Sequence, residues 1–153
     1  MTSRNDRSLA KAVQGRAQPA RHKCVQYKQH YQTLGEMGQL TTHVLDTTAG
    51  LPAAGVRIEL LELTSVAPKL LASATTGSDG RSPGALIAGA DFRAGRYALT
   101  FYVAEYFRGR GLDLPAPAFI EEVVVRIGIA QPDQHYHVPL LVSPWSYSVY
   151  RGG

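Results

Sequence analysis

The segment FIEEVVVRIGI, residues 119–129, decides the class of the fold. Val123, Val125, Ile127 and Ile129 recur in it at every second position. Successive side chains of an extended strand point to opposite faces, so these four apolar residues share one face. This period of two is typical of a half-buried β-strand and predicts one here.

Segments of the same kind lie on both sides of it. The segments before it are residues 40–46, 56–60, 69–76 and 95–103, and those after it are residues 135–142 and 145–151. The last two are joined by Ser143-Pro144 and are predicted to form a hairpin, and residues 104–111 are predicted to form one short helical segment. Seven or eight short strands separated by turn formers, such as the glycine-rich residues 77–84, predict an all-β fold of the two-sheet sandwich type.

Length and composition limit the other possibilities. The chain has 153 residues, 44% of them hydrophobic, which suits one globular domain with a tail. No apolar run approaches the roughly 20 residues that a membrane-spanning helix needs. Cys24 is the only cysteine, which excludes an intramolecular disulfide framework and a zinc site built from several cysteines.

The net charge of +4 is unevenly distributed. Residues 1–36 carry seven basic and two acidic side chains, whereas residues 37–153 carry nine basic and ten acidic ones. The second part therefore gives no electrostatic reason to expect a nucleic acid partner. Residues 1–36 show neither a sustained period nor the apolar stretch of a secretory signal, and we expect a disordered leader or an upstream extension, with the domain starting at Met37.

Few residues stand out as chemical groups. His135 and His137 are two positions apart on a predicted strand and should share a face, and His43 lies in the first predicted strand. Two histidines at this spacing are compatible with half of a zinc site, although no cysteine or well-placed carboxylate completes it, and equally with ordinary surface histidines. Arg81, in the turn Asp79-Gly-Arg81, is by itself typical of a solvated loop charge.

Several motifs together resemble the transthyretin-related family of 5-hydroxyisourate hydrolases. They are, in the family's order, LTTHVLDT at 40–47, GLPA at 50–53, SDGR at 78–81, HYHVPLL at 135–141 and YRGG at 150–153. The resemblance covers residues 37–153 and implies a two-sheet transthyretin-like β-sandwich of about eight strands with one short helix. It also implies an enzyme that opens the ring of 5-hydroxyisourate by hydrolysis, during urate degradation.

The resemblance also implies the residues of the site. The family's catalytic residues fall on His43, Arg81 and His137, and its substrate-binding residues fall on these three and on Tyr150, Arg151 and Gly152. A neutral imidazole can accept a proton from water at neutral pH, and a guanidinium can hold a planar anionic substrate through two contacts. No metal and no organic cofactor is implied. The family's pattern ends in serine, where this chain has Gly153.

The expected partners follow from the same resemblance. It implies a small-molecule substrate and a homotetramer, arranged as a dimer of dimers with sites in a channel between the dimers, and no nucleic acid or membrane partner. The cytoplasm is the default expectation for the location, and a peroxisomal location is the alternative, for which the C-terminus, not being Ser-Lys-Leu-like, gives no clear signal. The alternatives are a transthyretin-type carrier of small ligands, which would not keep the trio His43, Arg81 and His137, and a β-sandwich without chemistry.

Overall fold

The computed structural model describes residues 38–152. This part of the chain forms nine β-strands, one α-helix and one turn of 3-10 helix. They are β1 (Gln39–Asp46), β2 (Leu51–Pro52), β3 (Arg57–Leu63), β4 (Pro68–Thr75), β5 (Ile87–Ala88), the 3-10 turn (Gly89–Asp91), β6 (Gly95–Phe101), α1 (Val103–Gly109), β7 (Val123–Ile129), β8 (His135–Val142) and β9 (Tyr147–Val149).

The strands form two sheets. The first has the order β2-β1-β8-β9, with β5 also pairing with β1, and the second has the order β4-β3-β6-β7. β1 and β8 run parallel, whereas the other neighbours are antiparallel. One hydrophobic core joins the sheets, since Leu40 and Val44 of β1 and Ile58 and Leu99 of the second sheet belong to the same buried cluster. The predicted two-sheet β-sandwich with one short helix is confirmed.

Three predicted strands have wrong boundaries. The strand expected over residues 95–103 ends at Phe101, because Val103 already begins α1, and the strand expected over residues 145–151 covers only Tyr147–Val149. The strand expected to begin at Phe119 begins at Val123. In the preceding residues the Glu121 carboxylate accepts a hydrogen bond from the Ala118 N–H and pairs with Arg108 at 3.1 Å, which holds this segment as a loop. The alternation within the strand is as predicted, because Val123 and Ile129 are buried and the residues between them alternate in exposure. The predictions for residues 1–36 and for a domain start at Met37 lie outside the described residues.

A buried carboxylate ties helix α1 to the first sheet. Asp46 Oδ1 accepts hydrogen bonds from the N–H groups of Thr48 and Ala49, at 2.8 and 3.1 Å, and the Tyr106 hydroxyl donates to Asp46 Oδ2 at 3.0 Å. Burial, followed by the contact with Asp46, raises the pKa of Tyr106 to about 12, so this hydroxyl stays protonated and donates. Both carboxylate oxygens have partners, which is what a buried charge requires.

The outer face of the first sheet is the part of the fold that positions the site. In β1 the even-numbered residues from Leu40 to Asp46 are buried, and the odd-numbered ones are half-buried on the opposite face. The parallel register places Thr41 opposite His137 and His43 opposite Pro139, so the polar residues of both strands lie side by side. In the described residues no helix has the length and apolarity needed to cross a membrane.

Candidate active site

The turn that carries Arg81 is held by its own hydrogen bonds. The Gly77 N–H donates to the Arg81 carbonyl oxygen at 2.8 Å, and the Arg81 N–H donates to Asp79 Oδ1 at 3.0 Å. The second bond is an Asx-type contact, in which a short side chain accepts from the backbone two residues on. The side chain of Arg81 therefore extends from a turn of fixed geometry. A solvated loop charge would not need such a turn.

This turn docks against β1 beside His43. The Val44 N–H donates to the Gly80 carbonyl oxygen at 2.8 Å, and His43 and Arg81 form an isolated antiparallel bridge. Gly80 has φ +75°, in the left-handed region, and a Cβ there would lie under 3.0 Å from the Val44 oxygen and 3.1 Å from His43 Cδ2. Only glycine allows this approach, because it has no side chain and tolerates this conformation.

Two histidines of β8 share one hydroxyl partner on β1. Thr41 Oγ1 lies 2.9 Å from His135 Nε2 and 2.9 Å from His137 Nδ1. Gln39 Nε2 lies 3.0 Å from His135 Nδ1, which extends the hydrogen-bonded chain by one residue. The shared face predicted for His135 and His137 thus also contains Gln39 and Thr41 of the neighbouring strand.

The C-terminal segment returns to His137 through Gly152. Its N–H donates to the His137 carbonyl oxygen at 2.9 Å, in a second isolated antiparallel bridge. A Cβ at Gly152 would lie 2.8 Å from His137 Cδ2, so the imidazole fills the space that a side chain would take. The prediction about Gly153 lies outside the described residues.

Tyr150 and Arg151 occupy a different place from the other predicted site residues. The Arg151 guanidinium donates to Gln134 Oε1 at 3.0 Å, and its carbon lies 4.5 Å from the ring centroid of Tyr136. Both side chains line a cavity of about 470 Å³ together with Tyr136. They are near Gly152 along the chain, but they do not line the cavity that contains Arg81 and His137.

A cavity of about 470 Å³ opens on the outer face of the first sheet. Among its lining residues are a guanidinium, two imidazoles, an amide and a hydroxyl, which belong to Arg81, His135, His137, Gln39 and Thr41. His43 borders it through its bridge to Arg81, and its Nε2 is buried and has no hydrogen-bond partner among the described residues. The structure thus brings together His43, Arg81, His137 and Gly152.

His137 has a lowered pKa. Burial is the largest cause, followed by the positive charge of Arg81 and the nearby His135 and His43. Each of these disfavours the charged imidazolium. At neutral pH the ring is therefore neutral, and burial contributes more to this than Arg81 does.

Gln39 and Thr41 line this cavity but are not among the residues predicted from the sequence. The alternation of β1 contains the signal for Thr41, because a residue two positions before His43 shares its face. The pairing of β1 with β8, which gives Thr41 and Gln39 their histidine partners, has no local signal. Within residues 38–152 no group of three or more histidine, cysteine, aspartate or glutamate side chains is placed to hold a metal ion.

The comparisons with known proteins agree with one another. The model of the HIUase/Transthyretin family matches residues 40–152. The chain is 52% identical over 116 residues to a 5-hydroxyisourate hydrolase of Pseudomonas aeruginosa, which covers 76% of this chain and 92% of that protein.

Solved structures show the same similarity. The structure of a 5-hydroxyisourate hydrolase from Klebsiella pneumoniae matches with a TM-score of 0.64 and 31% identity, over 76% of this chain and all of that one (100%). An (S)-allantoin synthase matches with a TM-score of 0.72 and 44% identity over 76% of this chain, which spans only 44% of that longer protein. A transthyretin from Sparus aurata matches with a TM-score of 0.67 and 27% identity, over 74% of this chain and 96% of that one.

Proposed function

The chain belongs to the HIUase/transthyretin family, and from this membership we propose that the protein is an enzyme that hydrolyses 5-hydroxyisourate. The product is 2-oxo-4-hydroxy-4-carboxy-5-ureidoimidazoline, and the reaction is a step of urate degradation. Relatives named 5-hydroxyisourate hydrolase, at 52–54% identity over about three quarters of the chain, support this proposal.

One observation of the structure carries the proposal. The cavity on the outer face of the first sheet contains Arg81, a permanent cation, and His137, an imidazole whose lowered pKa keeps it neutral. A guanidinium presents a planar fork of N–H donors, which suits the carbonyl-rich, anionic and planar substrate. A neutral imidazole beside it can exchange protons or hydrogen bonds with the reacting groups at neutral pH.

The reaction requires three things of these residues. A water molecule attacks the amide-type carbonyl of the ring, so its proton must be accepted, the developing oxyanion stabilised, and the leaving nitrogen protonated. His43 and His137 provide the imidazoles for proton acceptance and return, and Arg81 binds the substrate and stabilises negative charge. These groups are sufficient for the chemistry without a metal or an organic cofactor.

The C-terminal residues have a supporting part in this proposal. Gly152 lies against the His137 ring, and its hydrogen bond to the His137 backbone holds the end of the chain there. Tyr150 and Arg151 stay in the proposed substrate-binding set, although their side chains line the separate cavity with Tyr136. The contacts of Arg151 with Gln134 and Tyr136 support a positioning part, because they fix the segment that carries Gly152.

The assembly and the location are also part of the proposal. We expect a homotetramer, built as a dimer of dimers, in which the outer face of the first sheet borders a channel. The half-buried Leu45 and Leu141 on that face support this, because apolar side chains there are available to a second copy. Light scattering after size-exclusion chromatography tests the assembly, and cell fractionation tests the expected cytoplasmic location.

The decisive test measures turnover. Purified full-length protein is added to 5-hydroxyisourate freshly generated by urate oxidase, and the decay of its ultraviolet absorbance is compared with the spontaneous decay in buffer. The enzyme accelerates this decay in proportion to its concentration. The alternative, a transthyretin-type carrier, would bind a small aromatic ligand in the calorimeter and leave the decay at the buffer rate.

A further inference from the structure

A chain of three hydrogen bonds runs along the outer face of the first sheet and ends at His137. Gln39 Nε2 contacts His135 Nδ1 at 3.0 Å, His135 Nε2 contacts Thr41 Oγ1 at 2.9 Å, and Thr41 Oγ1 contacts His137 Nδ1 at 2.9 Å. The parallel register explains the order, because Gln39 is paired with His135 and Thr41 with His137. All four side chains line the cavity of the proposed site.

The hydrogen inventory of these groups allows donation in one direction along the whole chain, from Gln39 to His137. An amide nitrogen only donates, so His135 Nδ1 must accept from Gln39 and carries no hydrogen. The single N–H of a neutral His135 is then on Nε2 and donates to Thr41 Oγ1. The Thr41 hydroxyl has one hydrogen and two lone pairs, so it can accept from His135 and donate its own hydrogen to His137 Nδ1, which lies 2.9 Å away.

The consequence concerns the face that His137 turns to a ligand. With Nδ1 accepting from Thr41, the hydrogen of the neutral ring lies on Nε2, the nitrogen that Thr41 leaves free. The ionisable groups that face His137 are Arg81, His135 and His43, and together with burial they hold its pKa below the ordinary value. Neutral His137 is therefore a hydrogen-bond donor on Nε2 and has no lone pair there to accept a proton.

We propose that Gln39, His135 and Thr41 are positioning residues that fix His137 in the tautomer with its hydrogen on Nε2, so that His137 donates to the developing oxyanion and does not activate water. This rests on the proposed hydrolase function. The proton of the attacking water then passes to His43, the other imidazole of the site. His43 takes this proton as the oxygen–carbon bond forms and returns it to the leaving nitrogen as the carbon–nitrogen bond breaks, so that protons balance over the cycle.

The first test reads the tautomer directly and needs no turnover. Full-length protein with ¹⁵N-labelled histidine is examined by two-bond ¹⁵N–¹H correlation spectra at neutral pH, with His137 assigned by the His137→Gln variant. We expect an unprotonated Nδ1 and a protonated Nε2 in His137. A hydrogen on Nδ1 would overturn the proposal.

Three variants distinguish an effect of the hydrogen-bond chain on the His137 tautomer from a merely structural effect. Thr41→Val keeps the shape and strand preference of the side chain but removes the hydroxyl, so the His137 signals should show a mixture of tautomers; Thr41→Ser keeps the hydroxyl and the wild-type pattern. Gln39→Glu offers only acceptor atoms, and at alkaline pH, where the imidazoles are neutral, it should reverse the chain and move the hydrogen to His137 Nδ1. Thr42→Val is the matched control, because its hydroxyl donates to the Val138 carbonyl at 2.7 Å on the buried face and its loss should leave the tautomer unchanged.

Kinetics provide the second readout. Thr41→Val should lower kcat at least about tenfold with little change in KM, since the ring loses its orientation rather than its place in the cavity. Thr41→Ser should recover activity to within about threefold of wild type because the hydroxyl chain is intact. Equal kcat in Thr41→Val and wild type would overturn the positioning role. A wild-type protein with the expected tautomer but no turnover would instead contradict the proposed hydrolase function and still support the tautomer of His137.

Discussion

Gly80 is the residue whose replacement should most clearly disturb both the fold and the site. It lies in the turn before Arg81 with φ +75°, and its carbonyl accepts the Val44 N–H at 2.8 Å. In Gly80→Ala the new Cβ would collide with the Val44 carbonyl oxygen and contact His43 Cδ2 at 3.1 Å. Since the first of these atoms belongs to the backbone of a central strand, the turn has to move away from β1.

The expected cost combines three contributions. A left-handed conformation costs a residue other than glycine about 1–2 kcal/mol, and overpacking adds about 1–3 kcal/mol. Weakening the bond between Val44 and Gly80 adds about 1 kcal/mol, but a shift of the turn relieves part of the collision, so we expect a net loss of about 3 kcal/mol. For a domain of this size that loss lowers Tm by about 10 °C. Because Arg81 moves with the turn, kcat/KM should fall about 100-fold.

The assay pairs thermal unfolding, followed by circular dichroism, with the hydrolysis of 5-hydroxyisourate. Gly77→Ala is the matched control in the same turn, because its Cβ would meet Asp79 Oδ1 at 3.4 Å, an ordinary contact, and no left-handed φ applies. It should change stability by no more than about 0.5 kcal/mol. A Gly80→Ala protein with the stability and activity of Gly77→Ala would refute the reasoning that the turn is locked against β1.

Three further perturbations have defined outcomes. Gly152→Ala should lower kcat/KM at least about tenfold with little change in Tm, because the Cβ would lie 2.8 Å from His137 Cδ2 and rotate that ring; unchanged kinetics would contradict this. Tyr106→Phe removes the hydroxyl that donates to Asp46 Oδ2 and should lower the free energy of unfolding, measured in urea, by about 1.5–3 kcal/mol. A loss below about 0.5 kcal/mol, the size of an ordinary surface change, would refute a stabilising role of this hydrogen bond. Because the pKa of His137 is lowered, its neutral form contributes stability fully above about pH 6.5 and loses it as the pH falls through the lowered pKa. Arg81→Met should raise that pKa in an NMR titration and shrink the loss on acidification, and an unchanged titration would show that Arg81 does not contribute to the lowered pKa.

Local patterns in the sequence predicted the sheets but not how they join. The period of two in residues 123–129 identified a strand and its faces, and a turn between β8 and β9 identified their hairpin. The start of β7 was placed too early, because apolar Phe119 and Ile120 precede the strand, and the contacts of Glu121 hold these preceding residues as a loop. Hydrophobic pattern does not record such tertiary contacts.

The candidate site shows the same division between local and distant information. The face shared by His135 and His137 follows from their spacing, and the motifs around His43 and Arg81 gave the resemblance. The parallel pairing of β1 with β8 joins residues about a hundred positions apart in the chain without a turn signal, so the contact of Thr41 with both histidines could not be predicted. Neither could the separate cavity of Tyr150 and Arg151, because it depends on the contact of Arg151 with the Tyr136 ring.

One measurement tests the assignment of the site to hydrolysis most directly. The decay of freshly generated 5-hydroxyisourate is followed with equal concentrations of the wild-type full-length chain and of its His43→Ala, Arg81→Ala and His137→Ala variants, each shown to be folded by circular dichroism. We predict that the wild type accelerates the decay and that each variant loses most of the acceleration, by at least about 100-fold. Decay at the buffer rate with the wild-type protein, or acceleration that survives in all three variants, would contradict a hydrolytic site at these residues.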